Sequence, residues 1–401
     1  MDEPASPSDM KPRDHTKPAQ AKGAFAAFRT VPGIFLLAMF FAVSPASADG
    51  VFASEKASFR ATTLTRGLEH PWSVACLPDG GFLITERPGR LRRIDATGAL
   101  DPEPITGVPE VAAFGQAGLL DVLLHPEFES NRTLFLSYVA GVGGQVNTEV
   151  ARARLEGNAL RDVEVIFTAM PKTGGGYHVG SRLALDGQGR LLVSLGDRGL
   201  RHPAQDLFQH TGSMVRILPD GKVPPDNPFI GKPGARPEIL TYGHRNIQGL
   251  AVNQRSGEIW AHEHGPQGGD ELNRIVSGAN YGWPIVTYGK EYGSGASIGE
   301  GVSKPGMVSP VHQWSPSIAP SGMAFYDGSR FPGWNGSLFV GSLKFRYLAR
   351  LELNAGRVVH EEQLLGGKFG RIRDVRTDRR GYVYFLTDAV DGRLVRLEPV
   401  P

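Results

Sequence analysis

Cysteine is almost absent from this chain of 401 residues, which contains Cys76 and no other. A single thiol excludes an intramolecular disulfide, and without a Cys-x-x-Cys-His motif the chain cannot attach a c-type haem. The apolar neighbours Val74, Ala75 and Leu77 predict that Cys76 is a buried thiol on a strand and not a nucleophile. We therefore expect a fold without covalent cross-links, and a separate partner that accepts any electrons.

The chain also has little net charge and few long apolar runs. Its 43 Lys and Arg and 41 Asp and Glu leave a charge of +2 at neutral pH. This balance excludes a broad nucleic-acid-binding surface and a polybasic membrane anchor. After residue 48 the sequence has no apolar helix signal and no Pro-, Gly- or Ser-rich linker. We therefore expect residues 49–401 to form a single domain without a membrane span.

The first 48 residues differ from the rest. Residues 1–22 are polar, and residues 31–43 (VPGIFLLAMFFAV) form an apolar run. The Ala-Ser-Ala sequence that ends at Ala48 has the form of a signal-peptidase site, which predicts export to a periplasm and cleavage near Ala48. A membrane anchor is the alternative, although a spanning helix needs roughly 20 apolar residues. The long polar leader also leaves open a start codon further downstream.

Turn residues are abundant, with 52 Gly and 30 Pro spread along the chain, which favours an all-β fold. An alternating apolar strand, a polar turn and a second strand recur six times. The copies begin at Trp72, Leu119, Leu183, Gly249, Gly322 and Asp374. Such antiparallel units cannot bury their faces alone, so the sequence predicts a six-bladed β-propeller. The uneven spacing predicts long loops over one face, the longest at 198–211, 219–238 and 281–320.

Two regions carry the clearest chemical signals. His178 lies between a Gly-rich run and a strand in GGGYHVGSRLAL, and Asp197 follows the next strand. A His paired with a carboxylate is an oriented base, although spacing alone leaves open an isolated loop His beside a turn Asp. The region from YGHRN to NYGWP combines Arg245, whose donors suit a carboxylate, with Asp270 and Glu271, whose oxygens suit calcium. These residues predict an anionic ligand bridged by a divalent cation.

Several motifs, in the right order, carry a resemblance to one family. They are GQAGLLDVLLHPEF, PAQDLFQHTGSMVRILPDGKVPPDNPF, YGHRNIQGLA and NYGWP, together with the His178 region. From about residue 68 to residue 399 the chain closely resembles the soluble quinoprotein sugar dehydrogenases, the glucose/sorbosone and aldose dehydrogenase family. The resemblance implies a six-bladed propeller that holds pyrroloquinoline quinone (PQQ) and calcium over its channel mouth. It also implies oxidation of an aldose at C1 to a lactone, by a monomer or homodimer.

The resemblance also assigns individual roles. His178 takes the proton of the anomeric hydroxyl while hydride passes to the quinone, and Asp197 orients the imidazole. The cofactor-binding residues implied by the family motifs are Gln116, Arg245, Asn246, Tyr292, Lys344, Arg371 and Arg373. The implied calcium ligands are the carbonyls of Gly265 and Pro266, with a further site at Glu271 and the Tyr281 carbonyl.

Other interpretations of these residues remain open. Each Arg or Lys alone is also explained as a solvated charge at a strand end. Glu271 is equally suited to cap a loop or pair with Arg274, and Tyr292 to stack in the core. Trp283 and Trp314 are expected to be structural.

The chain departs from the family pattern near the base. Tyr177 stands where the glucose dehydrogenases have an acid that contacts sugar, and the loop after Asp197 (RGLRHPAQD) lacks their longer polar insertion. We therefore expect a pocket that accepts several aldoses. Two other functions remain open, a calcium-dependent lactonase or hydrolase and a non-catalytic ligand-binding propeller. The cations that suit a carboxylated cofactor favour the dehydrogenase.

Overall fold

The computed structural model describes residues 49–400, and these lie in one compact unit. The predicted signal peptide and its cleavage near Ala48 lie outside the described residues and stay predictions. The described chain contains one helix, α1 (Phe128–Asn131), and two 3-10 turns, His202–Gln205 and Pro332–Trp334. Within residues 49–400 we find no helix with the length and apolar content needed to cross a bilayer.

All other regular structure is β-strand. In chain order the strands are β1 (Gly50–Ala53), β2 (Ser58–Leu68), β3 (Pro71–Cys76), β4 (Phe82–Glu86), β5 (Arg90–Ile94), β6 (Leu119–Leu124), β7 (Thr133–Val142), β8 (Gln145–Glu156), β9 (Ala159–Thr168), β10 (Leu183–Leu185), β11 (Leu191–Ser194), β12 (Ser213–Ile217), β13 (Ile239–Tyr242), β14 (Ile247–Val252), β15 (Ile259–Glu263), β16 (Asp270–Arg274), β17 (His312–Trp314), β18 (Pro320–Phe325), β19 (Leu338–Ser342), β20 (Leu348–Asn354), β21 (Arg357–Leu364), β22 (Ile372–Thr377), β23 (Val383–Thr387) and β24 (Gly392–Pro399).

These strands form six antiparallel sheets, which we number as blades. Blade 1 contains β3–β5, blade 2 β6–β9, blade 3 β10–β13, blade 4 β14–β17 and blade 5 β18–β21. Blade 6 contains β22–β24 together with β2 and β1. The first strands of neighbouring blades contact one another in a closed ring, from β3 through β6, β10, β14, β18 and β22 back to β3. The predicted six-bladed β-propeller is therefore confirmed.

The repeat that was read from the sequence corresponds to the first two strands of each blade. Of the long loops, 219–238 joins β12 to β13 as expected, and 198–211 contains only the short 3-10 turn. The third predicted loop is shifted, since the irregular stretch runs from residue 275 to residue 311 and β17 follows it. Short strands such as β17 have no recognisable period, which is why the sequence does not show them.

Blade 6 closes the ring by joining distant parts of the chain. β24 pairs antiparallel with β2, and this pairing places Phe59 opposite Pro399 and Leu68 opposite Gly392. An aromatic cluster anchors β2. In this cluster the ring centroids of Phe59 and Trp334 lie 5.5 Å apart, and both side chains are fully buried. Burial of each such ring stabilises the fold by about 1.5–3 kcal/mol.

Cys76 ends β3 as a half-buried thiol. Burial of the sulfur raises its pKa to about 12, so the thiol stays protonated at neutral pH and is a poor nucleophile. This agrees with the structural role expected from the sequence, although the side chain is less enclosed than its apolar neighbours suggest.

The topology places the predicted site residues on one face. In an antiparallel blade, the start of the first strand and the end of the second lie at the same end. His178 and Arg245 precede β10 and β14, while Asp197, Gly265 and Lys344 follow β11, β15 and β19. The turns between the first and second strands form the opposite face, where two cavities of about 520 and 450 Å³ open. Neither cavity is lined by a predicted site residue.

Candidate active site

The site is built around an imidazole and a buried carboxylate. Nδ1 of His178 lies 2.5 Å from Oδ1 of Asp197. Asp197 is fully buried, and the His178 side chain is 17% exposed. Burial opposes ionisation of Asp197, but the hydrogen bond from His178 and a bond from the Gly199 N–H hold the pKa of this carboxyl below its ordinary value. An ionised carboxylate accepts only, so Nδ1 of His178 carries the proton and Nε2 is left as a base.

The backbone around His178 is shaped for this contact. His178 has a φ of 48°, in the left-handed region that residues with side chains rarely adopt. Its N–H donates to Oε1 of Gln116 (2.8 Å), so this predicted cofactor-binding residue also holds His178 in place. Gly196 lets the end of β11 approach closely, because an added Cβ there would lie 2.0 Å from the His178 carbonyl oxygen. Strain of this kind persists where surrounding contacts fix it, as at many active sites.

Trp283 makes a contact with Asp197 that the sequence did not reveal. Its Nε1–H donates to Oδ2 of Asp197 at 2.7 Å, so both carboxylate oxygens are held. The ring is buried, as expected for a structural Trp, but it also positions the carboxylate that orients His178. The signal available was its place in NYGWP, beside the other site motifs; no spacing rule links residue 283 to residue 197.

Arg245 and Asn246 lie directly beside this pair. The Arg245 carbonyl accepts the Asp197 N–H at 2.8 Å, and Oδ1 of Asn246 accepts the Gly180 N–H at 3.2 Å. The guanidinium of Arg245 lies over the Trp283 ring, with its carbon 5.4 Å from the ring centroid. Hydrogen bonds therefore connect the His178–Asp197 pair directly with Arg245 and Asn246, two of the predicted cofactor-binding residues.

The Gly-Pro loop carries the carbonyls predicted to bind calcium. Nη1 of Arg245 donates to the Gly265 carbonyl at 2.8 Å, and the Tyr292 hydroxyl donates to the Pro266 carbonyl at 3.0 Å. Asp270 supports the loop by accepting the Gly265 N–H at 2.9 Å. Each carbonyl keeps a second lone pair for another partner. Tyr292 is 66% exposed, so it does not stack in the core.

Glu271 lies in a region crowded with negative charge. It is opposite Glu263 in the pairing of β15 with β16, and Nδ2 of Asn273 lies within 3.4 Å of both carboxylates. Burial and the charge of Glu263 raise the pKa of Glu271 well above its ordinary value. Arg274 pairs with Glu258 at 3.1 Å, so the salt bridge from Glu271 to Arg274 left open by the sequence is not formed.

Tyr281 joins the same region through His244. The two rings stack with centroids 4.5 Å apart, and Nδ1 of His244 lies 2.8 Å from Glu263. Among residues 49–400, no cluster of three or more Asp, Glu, His or Cys side chains is arranged to hold a metal ion. A cation here would depend on main-chain oxygens, and it would relieve the repulsion between Glu263 and Glu271.

The remaining predicted cations lie across the site on blades 5 and 6. Arg371 and Arg373 both pair with Asp388, at 3.1 and 2.8 Å. Burial opposes ionisation of Asp388, but Arg373 and Arg371 hold the pKa of this carboxyl well below its ordinary value. Lys344 is exposed and follows Leu343, whose carbonyl accepts a bond from Arg371 at 3.4 Å. One carboxylate between two guanidiniums leaves a net positive charge for an anionic ligand.

His264 shows that the two sides of the site converge. Its Nε2 donates to the Pro320 carbonyl at 2.6 Å, and burial lowers the pKa of its imidazole to about 3. The positive charges of Arg245 and Arg373 lower this pKa further. Arg245, which lies beside the His178–Asp197 pair, and Arg373 of blade 6 are therefore both close enough to act on one imidazole.

Comparisons with known proteins identify one family. Residues 68–396 match the family described as glucose/sorbosone dehydrogenase. Aldose sugar dehydrogenase YliI of Escherichia coli is 45% identical over 338 residues, 83% of this chain and 91% of the relative. A crystal structure described as glucose dehydrogenase has 50% identity and a TM-score of 0.82, with 84% of this chain and 98% of that chain covered.

A more distant structure was solved with its cofactor. The PQQ-bound form of aldose sugar dehydrogenase from Streptomyces coelicolor is 29% identical, with a TM-score of 0.71 over 88% of this chain and 99% of that chain. The family match covers most of the sequence, and the two structural matches cover 84% and 88% of it. On this basis, the chain belongs to the glucose/sorbosone dehydrogenase family.

Proposed function

We propose that the protein is a PQQ-dependent aldose dehydrogenase that oxidises the anomeric carbon of several aldoses to lactones. The observation that carries this proposal is the His178–Asp197 pair on the face where Arg245 and Arg373 converge. A lactonase or hydrolase does not require a group of cations that suits several carboxylates, and a binding propeller does not require an oriented base. The name of the Streptomyces relative, which was solved with PQQ, supports the choice of cofactor.

The residues fit a carboxylated quinone by the chemistry of their donors. Arg245, Lys344, Arg371 and Arg373 would hold its carboxylates or quinone oxygens, with Asn246, Gln116 and Tyr292 as further neighbours. The carbonyls of Gly265 and Pro266 would contribute to calcium, and Glu271 with the Tyr281 carbonyl to a further ion. When bound, the quinone supplies the acceptor for the hydride that leaves C1 of the sugar, and calcium withdraws charge from it.

The chain itself performs the proton transfer. Nε2 of His178 accepts the proton of the anomeric hydroxyl as the C1 hydride leaves, so the sugar loses two electrons and two hydrogens and becomes a lactone. Asp197 keeps Nδ1 protonated and stabilises the imidazolium without taking the proton itself. Because Tyr177 is 63% exposed and not acidic, sugar contacts there are weak, which suits several aldoses.

The proposal is tested by dye reduction with purified residues 49–401 and a panel of aldoses, with and without added PQQ and calcium. We expect reduction only when both are present. Quinone-independent lactone hydrolysis would favour the hydrolase, and failure to bind quinone would favour the non-catalytic propeller.

The proposal also includes export to the periplasm, a separate electron acceptor and assembly as a monomer or homodimer. Amino-terminal sequencing of the exported protein tests cleavage near Ala48.

Replacing Trp283 with Phe should lower kcat by about tenfold, the effect of one lost hydrogen bond to a charged group. The ring is kept, but Oδ2 of Asp197 loses its donor. The pKa of Asp197 then rises, and the acidic limb of the kcat–pH profile moves to higher pH. The matched control is Trp314→Phe, because Nε1 of Trp314 donates to Glu361 at 2.9 Å, outside the site. Identical pH profiles for both variants would contradict a positioning role for Trp283.

A further inference from the structure

An ion pair joins two loops above the site, in addition to the hydrogen bonds of Gln205 with Asn280 and with the Trp283 carbonyl. Arg201 and Glu291 form a bidentate contact, with Nη1 to Oε1 at 2.5 Å and Nη2 to Oε2 at 2.8 Å. Their positions are 90 residues apart in the chain, so the pair is not a consequence of local structure. Two parallel bonds fix both the distance and the relative orientation of the groups.

Arg201 belongs to the side of the site that carries the base. It lies four residues after Asp197, in a turn where the Leu200 N–H donates to the Asp197 carbonyl at 2.9 Å. The same turn holds the Gly-rich run before His178, because Nη2 of Arg198 donates to the Gly175 carbonyl at 2.7 Å. A displacement of Arg201 would therefore be transmitted to the base.

Glu291 belongs to the side that carries the Gly-Pro carbonyls. Its neighbour Lys290 exchanges two backbone hydrogen bonds with Gln267, at 3.1 and 3.2 Å. Its other neighbour, Tyr292, donates to the Pro266 carbonyl. Gly289 lies so close to Pro266 that an added Cβ would be 2.5 Å from the proline ring. A displacement of Glu291 would therefore be transmitted to the Gly-Pro loop.

We propose that Arg201 and Glu291 form a latch that holds the base side of the site against the Gly-Pro side and sets the affinity for the sugar. The effect on affinity rests on the proposed dehydrogenase function; the effect on loop order does not. Neither residue touches the reacting atoms, so both are positioning residues. Their side chains are 41% and 32% exposed, so the latch lies at the solvent-exposed rim of the two loops.

The test uses Glu291→Gln, which keeps the shape of the side chain and removes its charge. In the chain without quinone, hydrogen exchange of residues 264–269 and 287–297 should become faster. In the loaded enzyme, KM for aldoses should rise about two- to fivefold, the ratio expected for a partly exposed ion pair, while kcat stays within about twofold. Glu291→Arg should be worse, and Arg201→Glu combined with Glu291→Arg should restore much of both properties.

The matched control is Asp327→Asn, which breaks a more exposed ion pair with Arg255 on the opposite face. It should change neither loop exchange nor KM. Unchanged exchange in Glu291→Gln, or an equal KM effect in the control, would overturn the latch. If the wild-type protein oxidises no aldose, the proposed function fails, and hydrogen exchange alone still decides whether the two loops are latched.

Discussion

Replacing His178 with Asn should reduce kcat for every aldose by about 10²–10⁴-fold, the usual contribution of a general base. Asn can still donate a hydrogen bond to Asp197, but it has no basic nitrogen in place of Nε2. Because His178 serves the proton transfer, the dissociation constant for PQQ should stay within about threefold of the wild-type value. Stopped-flow reduction of the quinone and a fluorescence titration of its binding measure the two quantities separately.

The control for this variant is His360→Asn, which removes a partly exposed imidazole from β21, where it pairs with Glu55. That variant should keep both turnover and quinone affinity. If His178→Asn instead loses quinone binding and the bound fraction turns over normally, His178 is a cofactor ligand and the proposed mechanism is wrong.

Replacing Arg182 with Ala should lower the free energy of unfolding by about 3–5 kcal/mol, the cost of breaking a buried ion pair. Its guanidinium lies 3.0 Å from Asp374 and 3.4 Å from Asp121, and all three side chains are almost fully buried where the first strands meet. It also lies over the ring of Trp72, 4.0 Å from the centroid. Removing it leaves two carboxylates with Arg376 as their remaining cation.

Thermal unfolding followed by circular dichroism tests this prediction. We expect the midpoint to fall on the order of 5–10 °C. The control is Arg152→Ala, which breaks an exposed pair with Glu164 on the outer strands of blade 2 and should change the midpoint little. A drop no larger than that of the control would mean that water replaces Arg182 beside the carboxylates at little cost.

The sequence predicts the fold because each blade repeats the same local pattern. Two apolar strands around a polar turn are visible within about twenty residues, and six copies define six blades. The closure of blade 6 is different, because β2 pairs with a strand more than 300 residues away and shares no motif with it. No local period identifies such a partner.

Site residues at strand ends are predictable for a similar reason. His178 and Asp197 flank neighbouring strands, so the topology brings them together once the blades are known. Contacts made by long loops are not predictable in this way, and those of Trp283 and of the Arg201–Glu291 pair are therefore found only in the structure. Asp388 follows β23 directly, but it belongs to none of the sequence motifs, so its contacts are also found only in the structure. Asp388 changes the interpretation of Arg371 and Arg373, because both guanidiniums share this one carboxylate and together keep a single net positive charge.

The closure of blade 6 also has a consequence for biosynthesis. Of the described strands, β24 is the last to leave the ribosome, yet it joins β22 and β23 to β2. Until then β2 lacks one of its two partner strands, and the ring cannot close on a nascent chain. Unpaired strand edges are prone to aggregate, so the incomplete chain is exposed to aggregation until β24 is available. A chain exported in an unfolded state would complete its propeller only after crossing the membrane.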